Sequence, residues 1–173
     1  MEKIDIRKIT PDDYPAIHEV YRQCEDFLAL GPASKASMDM VIADIREAKA
    51  ESGIYSGIFY GKMMVGVVSY IPSHFEFRLL DAYILLMMII PAYQRKGIGG
   101  EVLGRIEKEI CAHARIRSIL CSVQVNNPDA IRFWEKQSYK IFDGPELRPD
   151  KTTVYHLRKE IERGGKSSGR TKI

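Results

Sequence analysis

The sequence predicts a single α/β domain built around a mixed sheet. Its predicted elements follow the order β-α-α-β-β-β-α-β-α-β-β over 173 residues, a length that suits one domain with a sizeable core. The central β-α-β-α segment favours parallel pairing of its two strands, because a crossover helix returns the chain in the same direction. Hairpin patterns on both sides of that segment indicate antiparallel strands. We therefore expect a mainly antiparallel sheet with one central parallel pair and helices on both faces.

The first third of the chain predicts a strand followed by two helices. Residues 4–9, IDIRKI, alternate between apolar and polar types, as a strand does. Thr10 and Asp13 then form a capping box at the start of a helix, which Gly31 ends, and Ser37 caps the second helix. The apolar residues expected to face inward are Tyr14, Ile17, Tyr21, Cys24, Phe27 or Leu28, Met38, Val41, Ile42 and Ile45.

The middle of the chain predicts a hairpin and two buried strands. The segments IYSGIFY and MMVGVVSYI flank a tight turn at Gly61-Lys62, which requires positive φ at the glycine. Residues 82–90, AYILLMMII, are nearly all apolar, so we expect a strand that is buried on both faces. A glycine-rich loop, a helix over 101–114 and a second buried strand over 118–125 follow.

The last third predicts a helix and a closing strand pair. Asn127 caps a helix that continues through DAIRFWEKQ. YKIF and TTVYHL are expected to form an antiparallel pair around the turn-rich DGPELRPDK. We expect the domain to span residues 1–160 and residues 161–173 to form a basic, disordered tail.

Composition and charge are those of an ordinary globular protein. The hydrophobic fraction is 45%, the charged fraction is 28% and the net charge is only +3, so a nucleic-acid partner is not expected. No apolar run reaches the roughly 18 residues of a membrane span, and the N-terminal residues lack the apolar core of a signal peptide. The three cysteines are odd in number, and neither they nor the histidines show metal-ligand spacing. We therefore expect a cytoplasmic protein with reduced thiols, no metal and no membrane partner.

The segment PAYQRKGIGGEV, residues 91–102, places three glycines and two cations at a strand-to-helix junction. It does not match the dinucleotide-binding fingerprint, because Val102 stands where the third glycine after Gly97 and Gly99 is required. Successive N–H groups in a glycine-rich turn, together with the positive end of a helix dipole, form a site for anions. A simple helix entry explains the same pattern, so the segment alone leaves a phosphate cradle and a plain turn open.

Two motifs in this order, PAYQRKGIGG and NNPDAIRFWEKQSY, resemble the GNAT superfamily, the GCN5-related N-acetyltransferases, over about residues 4–160. The resemblance implies that backbone amides of the loop bind the pyrophosphate of acetyl-CoA. It also implies that strands 83–90 and 118–125 splay apart around the pantetheine arm, where an N–H stabilises the oxyanion. The cofactor-binding residues that it implies are Met88, Ile89, Ile90, Gln94, Arg95, Lys96, Gly97, Ile98, Gly99, Gly100, Asn127 and Trp134.

The resemblance implies direct acetyl transfer to an amine, without a covalent acyl-enzyme. In many members a tyrosine, in a segment like L-Y-x-x-x-G-F, protonates the leaving thiolate. Trp134 stands at the place of that tyrosine, and Tyr139 takes the place of the phenylalanine. Tyr139 or another tyrosine is therefore a candidate acid, although we favour water as the proton source. Trp134 is expected to pack against the CoA arm or the core. A catalytically weak protein that binds CoA as a sensor or partner module is the alternative.

The base and the acceptor site follow from the same resemblance. Relatives often place a glutamate near the start of the strand before the loop, where this sequence offers Asp81 and Tyr83 as candidate bases. Glu76 and His74, in the preceding loop, are further candidates. In relatives the first two helices shape the acceptor site, and a homodimer is common. The implied acceptor residues are Glu25, Asp26, Phe27, Leu28 and Leu30, for an amine of a small molecule or a peptide.

Overall fold

The computed structural model describes residues 3–73 and 80–163. Its strands are β1 (Ile4–Lys8), β2 (Ile54–Tyr60), β3 (Met63–Ile71), β4 (Asp81–Ile89), β5 (Ser118–Gln124), β6 (Lys140–Leu147) and β7 (Thr153–Glu160). Its helices are α1 (Tyr14–Gln23), α2 (Glu25–Leu28), α3 (Met38–Ala50), α4 (Ile98–Cys111) and α5 (Pro128–Lys136), with short 3-10 turns at Pro11–Asp13 and Pro91–Tyr93. The strands form one sheet in the order β1-β2-β3-β4-β5-β7-β6. Among the described strands only β4 and β5 pair in parallel, so the predicted mixed, mainly antiparallel sheet is confirmed.

Helices cover both faces of this sheet, as predicted. On one face, the hydroxyl of Tyr21 in α1 lies 2.8 Å from the hydroxyl of Tyr55 in β2. On the other face, the hydroxyl of Tyr70 in β3 donates to a carboxylate oxygen of Glu109 in α4 at 2.8 Å. The sheet therefore has an α1/α3 face and an α4/α5 face, and the functional residues described below divide between them.

The local signals at the helix starts and at the hairpin are confirmed. The Thr10 N–H donates to Asp13 Oδ2 at 2.7 Å, which is half of the capping box. Ser37 Oγ accepts from the Met40 N–H at 3.1 Å at the start of α3. Gly61 has a φ of 60°, as its tight turn requires.

Three predicted boundaries are wrong. The first long helix is split into α1 and α2 at Cys24, whose φ and ψ of −104° and 21° leave the helical region. The helix after the glycine loop begins at Ile98, not at residue 101. β6 runs to Leu147 through the segment predicted as a turn, and irregular pairing with β7 accommodates the turn-forming residues there.

β4 is also less buried than its apolar sequence predicts. Ala82, Ile84 and Met88 are buried, but Tyr83 and Met87 are only partly buried. The partly buried residues lie beside an opening in the sheet, which the sequence pattern alone does not reveal.

Two residues that follow β7 make hydrogen bonds to the segment between α4 and β5. The Ile161 N–H donates to the Arg117 carbonyl at 2.7 Å, and Arg163 Nε donates to the Ile116 carbonyl at 3.1 Å. The rest of the predicted tail, 164–173, and the candidate bases in the loop, His74 and Glu76, lie outside the described residues. Within the described ranges, no helix has the length and apolar character needed to cross a membrane.

Candidate active site

The two parallel strands separate in the middle of the sheet. Their pairing runs only from Asp81 opposite Ser118 to Ile84 opposite Cys121, although β4 continues to residue 89 and β5 to residue 124. On its other side, β4 has a bulge in its pairing with β3. Ile84 pairs with Tyr70 and Leu86 pairs with Ser69, so Leu85 between them has no partner residue in β3. Such a bulge bends its strand. The bend turns β4 away from β5 and opens a gap between the carboxyl-terminal ends of the strands.

Backbone groups of Ile89 face this gap. The Ile90 N–H donates to the Val65 carbonyl of β3 at 2.9 Å, and the Ile90 carbonyl accepts from the Tyr93 N–H at 2.9 Å. Because successive residues of a strand direct their backbone groups to opposite sides, the groups of Ile89 point away from β3. Of the predicted backbone contacts at residues 88–90, the Ile90 N–H is therefore not available to a ligand. Gln94 does not point to the loop's interior but donates its Nε2 to the Ile89 carbonyl at 2.7 Å.

The glycine-rich loop presents a row of N–H groups next to the gap. Arg95 and Gly97 have φ values of 57° and 82°, and the first hydrogen bond of α4 runs from the Glu101 N–H to the Gly97 carbonyl at 3.1 Å. The N–H groups of residues 95–100 have no hydrogen-bond partner among the described residues. A turn of this kind, followed by a helix start, is an anion nest. The loop thus has N–H groups that could hold an anion, and its role as a phosphate cradle stays a prediction.

The three glycine positions of the loop differ in what a side chain would meet there. A Cβ on Gly97 would meet nothing within 4 Å, so its positive φ is the constraint there. A Cβ on Gly99 would lie 3.2 Å from Cε2 of Phe133, so this glycine allows α4 and α5 to approach closely. A Cβ on Gly100 would lie 3.5 Å from Gln137, an ordinary contact.

The charged side chains of the loop are exposed and weakly held. Lys96 Nζ lies 5.1 Å from the ring centre of Tyr93, and Arg95 lies 3.5 Å from Asp129 in an exposed pair. Exposed pairs of this kind contribute little, so both cations can turn toward an anion. Asn127 caps α5, where its side-chain oxygen accepts from the Ala130 N–H at 3.1 Å.

A hydrogen-bond chain crosses four strands on the α1/α3 face. It starts at Tyr83 of β4, whose hydroxyl lies 2.5 Å from Ser122 Oγ of β5. Ser122 Oγ lies 3.0 Å from His156 Nδ1 of β7, and His156 Nε2 lies 2.5 Å from Glu146 Oε2 of β6. Tyr83 is adjacent to Ile84, the last β4 residue that pairs with β5, so the chain begins where the gap opens. Only Tyr83 was predicted; the other members come from three separate strands with no local motif.

The other candidate base lies at the closed end of the strand pair. Asp81 Oδ1 accepts from Ser118 Oγ at 2.6 Å, in the first pair of the parallel ladder. The gap opens only after Ile84, about 10 Å further along the strand at the usual rise per residue. Tyr83 is therefore the better placed of the two predicted bases.

The structure buries the residues around the predicted acid position. Trp134 is 7% exposed and lies between the rings of Phe133 and Tyr139, with ring centres 5.3 and 4.9 Å away, so it packs in the core. Tyr139 is 1% exposed and donates its hydroxyl to Glu107 at 3.0 Å. Burial, together with Glu107, raises the pKa of Tyr139. The expectation that Tyr139 is an acid has no geometric support, because its proton is already committed to Glu107.

The cysteine in β5 has no nucleophilic character. Cys121 is 2% exposed, and desolvation by burial raises the pKa of its thiol. A thiol acts as a nucleophile only as the thiolate. Cys121 therefore lacks the features of a nucleophile, and direct transfer stays a prediction.

The predicted acceptor segment lies over the α1/α3 face near the end of β5. Gln124 Nε2 comes within 3.3 Å of a Cβ built on Gly31, and Asn126 Nδ2 donates to the Leu30 carbonyl at 3.2 Å. Glu25 is held by Lys35 at 2.9 Å and by the Ala36 N–H at 3.1 Å, and the hydrogen bond with Lys35 lowers its pKa. Asp26 and Phe27 are exposed.

The fold and this site define a class of α/β proteins in which an anion nest adjoins an opened pair of parallel strands. The model of the acetyltransferase (GNAT) family matches residues 10–139. The chain therefore belongs to the GNAT family of acetyltransferases. A comparison with curated proteins gives no match.

Solved structures agree with this assignment. An acetyltransferase from Thermus thermophilus has a TM-score of 0.77 at 21% identity, covering 93% of this chain and 100% of that one. An acetyltransferase from Salmonella typhimurium that modifies the N-terminal serine of ribosomal protein L7/L12 has a TM-score of 0.73 at 18% identity, covering 92% and 95%. Spermidine N-acetyltransferase from Vibrio cholerae, in complex with CoA and spermine, has a TM-score of 0.67 at 15% identity, covering 91% and 95%.

Proposed function

We propose that this protein is an acetyl-CoA-dependent N-acetyltransferase that moves the acetyl group directly to an amine. The observation that carries the proposal is the position of the anion nest beside the gap in the sheet. The nest offers N–H groups to a pyrophosphate, and the edge of β4 offers backbone groups to an amide-bearing arm. A plain turn would not require an opened strand pair next to it.

The residues of the chain would divide the work as follows. The backbone of residues 95–100 binds phosphate, and Arg95 and Lys96 add positive charge. The Ile89 N–H, which faces the gap, is the donor that we assign to the developing oxyanion. Holding both substrates at this gap supplies the gain from proximity, so no covalent intermediate is required.

We propose an amine of a small molecule or a peptide as the acceptor, in the cytoplasm. The spermidine and ribosomal-protein acetyltransferases that share the fold act on acceptors of these two kinds. Asp26, Phe27 and Leu30 remain candidate acceptor contacts. Glu25 is the weaker candidate, because Lys35 and Ala36 already occupy its carboxylate.

Calorimetric titration with acetyl-CoA and with CoA tests the cradle. We expect micromolar binding by the wild-type protein. The Gly97→Ala variant should bind at least about tenfold more weakly, because a side chain at positive φ disturbs the turn that forms the nest. Gly61→Ala is the matched control, since Gly61 also has positive φ but lies in the β2–β3 turn.

Both glycine variants should lose a similar free energy of unfolding, about 1–2 kcal/mol. Equal acetyl-CoA affinity in Gly97→Ala and Gly61→Ala would remove the phosphate-cradle assignment. If the protein binds acetyl-CoA but releases no free thiol with any amine of a panel, the result would instead support the CoA-sensor alternative. That alternative draws its support from Trp134, which stands in the core where many relatives carry the acid.

A further inference from the structure

The chain of hydrogen bonds from Tyr83 to Glu146 has a defined direction. The Glu146 carboxylate can only accept, so His156 must carry its hydrogen on Nε2. In a neutral imidazole the other nitrogen, Nδ1, is then an acceptor, and Ser122 donates to it. Because the single hydrogen of Ser122 is used in this way, its oxygen accepts from the Tyr83 hydroxyl. The Tyr83 hydroxyl therefore donates into this chain, and a proton that reaches its oxygen passes on toward Ser122.

The two ends of the chain have the exposures that such a path needs. Tyr83 is partly buried beside the gap, whereas the side chain of Glu146 is 54% exposed at the sheet edge. The side chain of His156, between them, is 19% exposed. A proton that enters at the gap therefore has a route to water that does not cross the cofactor side of the sheet.

We propose that Tyr83, Ser122, His156 and Glu146 form a proton relay that removes the proton of the incoming nucleophile and delivers it to the sheet edge. The proposal rests on the proposed transferase function and deepens it. Tyr83 is the member at the reacting atoms; Ser122, His156 and Glu146 act through it as positioning and proton-accepting residues.

The protons and electrons of the step balance. The ammonium gives one proton to Tyr83, Tyr83 gives its own to Ser122, and Ser122 gives its own to His156. The neutral amine then forms the N–C bond to the acetyl carbon, and the C–S bond breaks with its electron pair on sulfur. The second proton of the nitrogen ends on that thiolate, and the imidazolium, paired with Glu146, releases the first to water.

Other groups around His156 do not compete for this role. Phe142 of β6 has its ring centre 6.4 Å from that of His156. Arg158, two residues along β7, stacks over Phe142 at 4.7 Å and pairs with Glu160 at 2.9 Å. Asp143 stands opposite His156 in the pairing with β6, but its Oδ1 accepts from the Gly144 N–H at 2.8 Å. Among the described residues, Glu146 is the carboxylate that is hydrogen-bonded to the imidazole.

The first test is the tautomer of His156, which needs neither cofactor nor acceptor. Nitrogen NMR of the full chain reports which ring nitrogen carries hydrogen, with the His156 signals assigned by their loss in His156→Gln. We expect the neutral Nε2–H form in wild type. The Nδ1–H form would reverse the direction of the chain and overturn the relay.

The second test is release of free thiol from acetyl-CoA, with spermine, with other amines and with water alone. We expect His156→Gln and Ser122→Ala each to lower kcat by about 100-fold, with acetyl-CoA affinity from calorimetry unchanged. The double variant should be no slower than either single variant, because both break the same path.

The control is His113→Gln, which replaces an exposed histidine at the end of α4. It should leave kcat within twofold of wild type. Effects of Ser122→Ala and His156→Gln that multiply, or kcat values within twofold of wild type, would overturn the relay while the transferase function stands. If the wild-type protein does not bind acetyl-CoA, the proposed function itself is overturned.

Discussion

Two tyrosine networks on the α1/α3 face of the sheet use similar groups and differ in where they end. In the first, Tyr21 donates to Asp44 at 2.5 Å and lies 2.8 Å from the Tyr55 hydroxyl. Tyr21 and Tyr55 are 0% and 6% exposed, and burial raises the pKa of both phenols and of Asp44. We call this network closed, because its two phenols are buried and its carboxylate on α3 is half-buried beside them.

The second network, from Tyr83 to Glu146, ends at water and contains a histidine. The comparison teaches that a tyrosine–carboxylate pair is not by itself a sign of chemistry. A closed network holds its protons and fixes the packing of helices on the sheet. An open one that begins at a gap and ends at the surface is able to pass a proton along.

The largest expected difference between the networks is in turnover. Tyr83→Phe should lower kcat for thiol release by about 100-fold, because the entry to the relay is lost. Tyr55→Phe should change it less than twofold, because Tyr55 belongs to the closed network. Thiol-release assays at saturating acetyl-CoA measure both; a similar loss in the two variants would end the distinction.

The next difference is in stability. Tyr21→Phe should lower the free energy of unfolding by about 2 kcal/mol, because the half-buried Asp44 carboxylate loses its donor. Tyr83→Phe should lower it by less than about 1 kcal/mol, because its partner Ser122 keeps a contact with His156. Urea unfolding at neutral pH compares the two variants. An equal loss of unfolding free energy would contradict the view that the closed network contributes more to stability.

The smallest expected effect concerns the stability contributed by a third group, the buried carboxylate of Asp13, which is paired with Arg7. The Arg7 hydrogen bond lowers the pKa of Asp13 to about 2, below the usual value near 3.9. This stabilisation is present above about pH 4 and is lost as the pH falls toward 2. Asp13→Asn should therefore cost about 1 kcal/mol at pH 7, allowing for the exposed Arg7, and nothing at pH 2.

Urea unfolding at both pH values checks this, with the exposed neighbour in Asp12→Asn as control. A loss in Asp13→Asn that is the same at pH 7 and pH 2 would mean that the ion pair is not its cause.

Local rules predicted much of the fold. The capping residues Thr10, Asp13 and Ser37 and the turn glycine Gly61 act over a few residues, and the structure has them in those roles. The boundaries at β6 and at Cys24 were wrong, because tertiary packing decides where an edge strand stops and where a helix breaks. The row of N–H groups in the glycine loop was predictable, because a glycine-rich turn at a helix start is a local, contiguous feature.

The rest of the site was not predictable because it is made by register. Ser122 and His156 meet because they are opposite each other in the pairing of β5 with β7. Glu146 joins them through an irregular pairing that the sequence does not announce. Tyr139 shows a similar limit, because its hydroxyl donates to Glu107, 32 residues away along the chain, and no local motif indicates that contact.

The short seam between β4 and β5 gives the sheet two inner edges, which a continuous sheet would not have. The parallel pairing of β4 with β5 holds only four residue pairs, so amides of β4 beyond it that face away from β3, such as that of Ile89, have no partner in β5. In the free protein these amides should take up deuterium quickly, while those between β2 and β3 stay protected. A ligand that fills the opening acts as a substitute strand. Its binding should therefore slow deuterium uptake by the amides of β4 and β5 that border the gap.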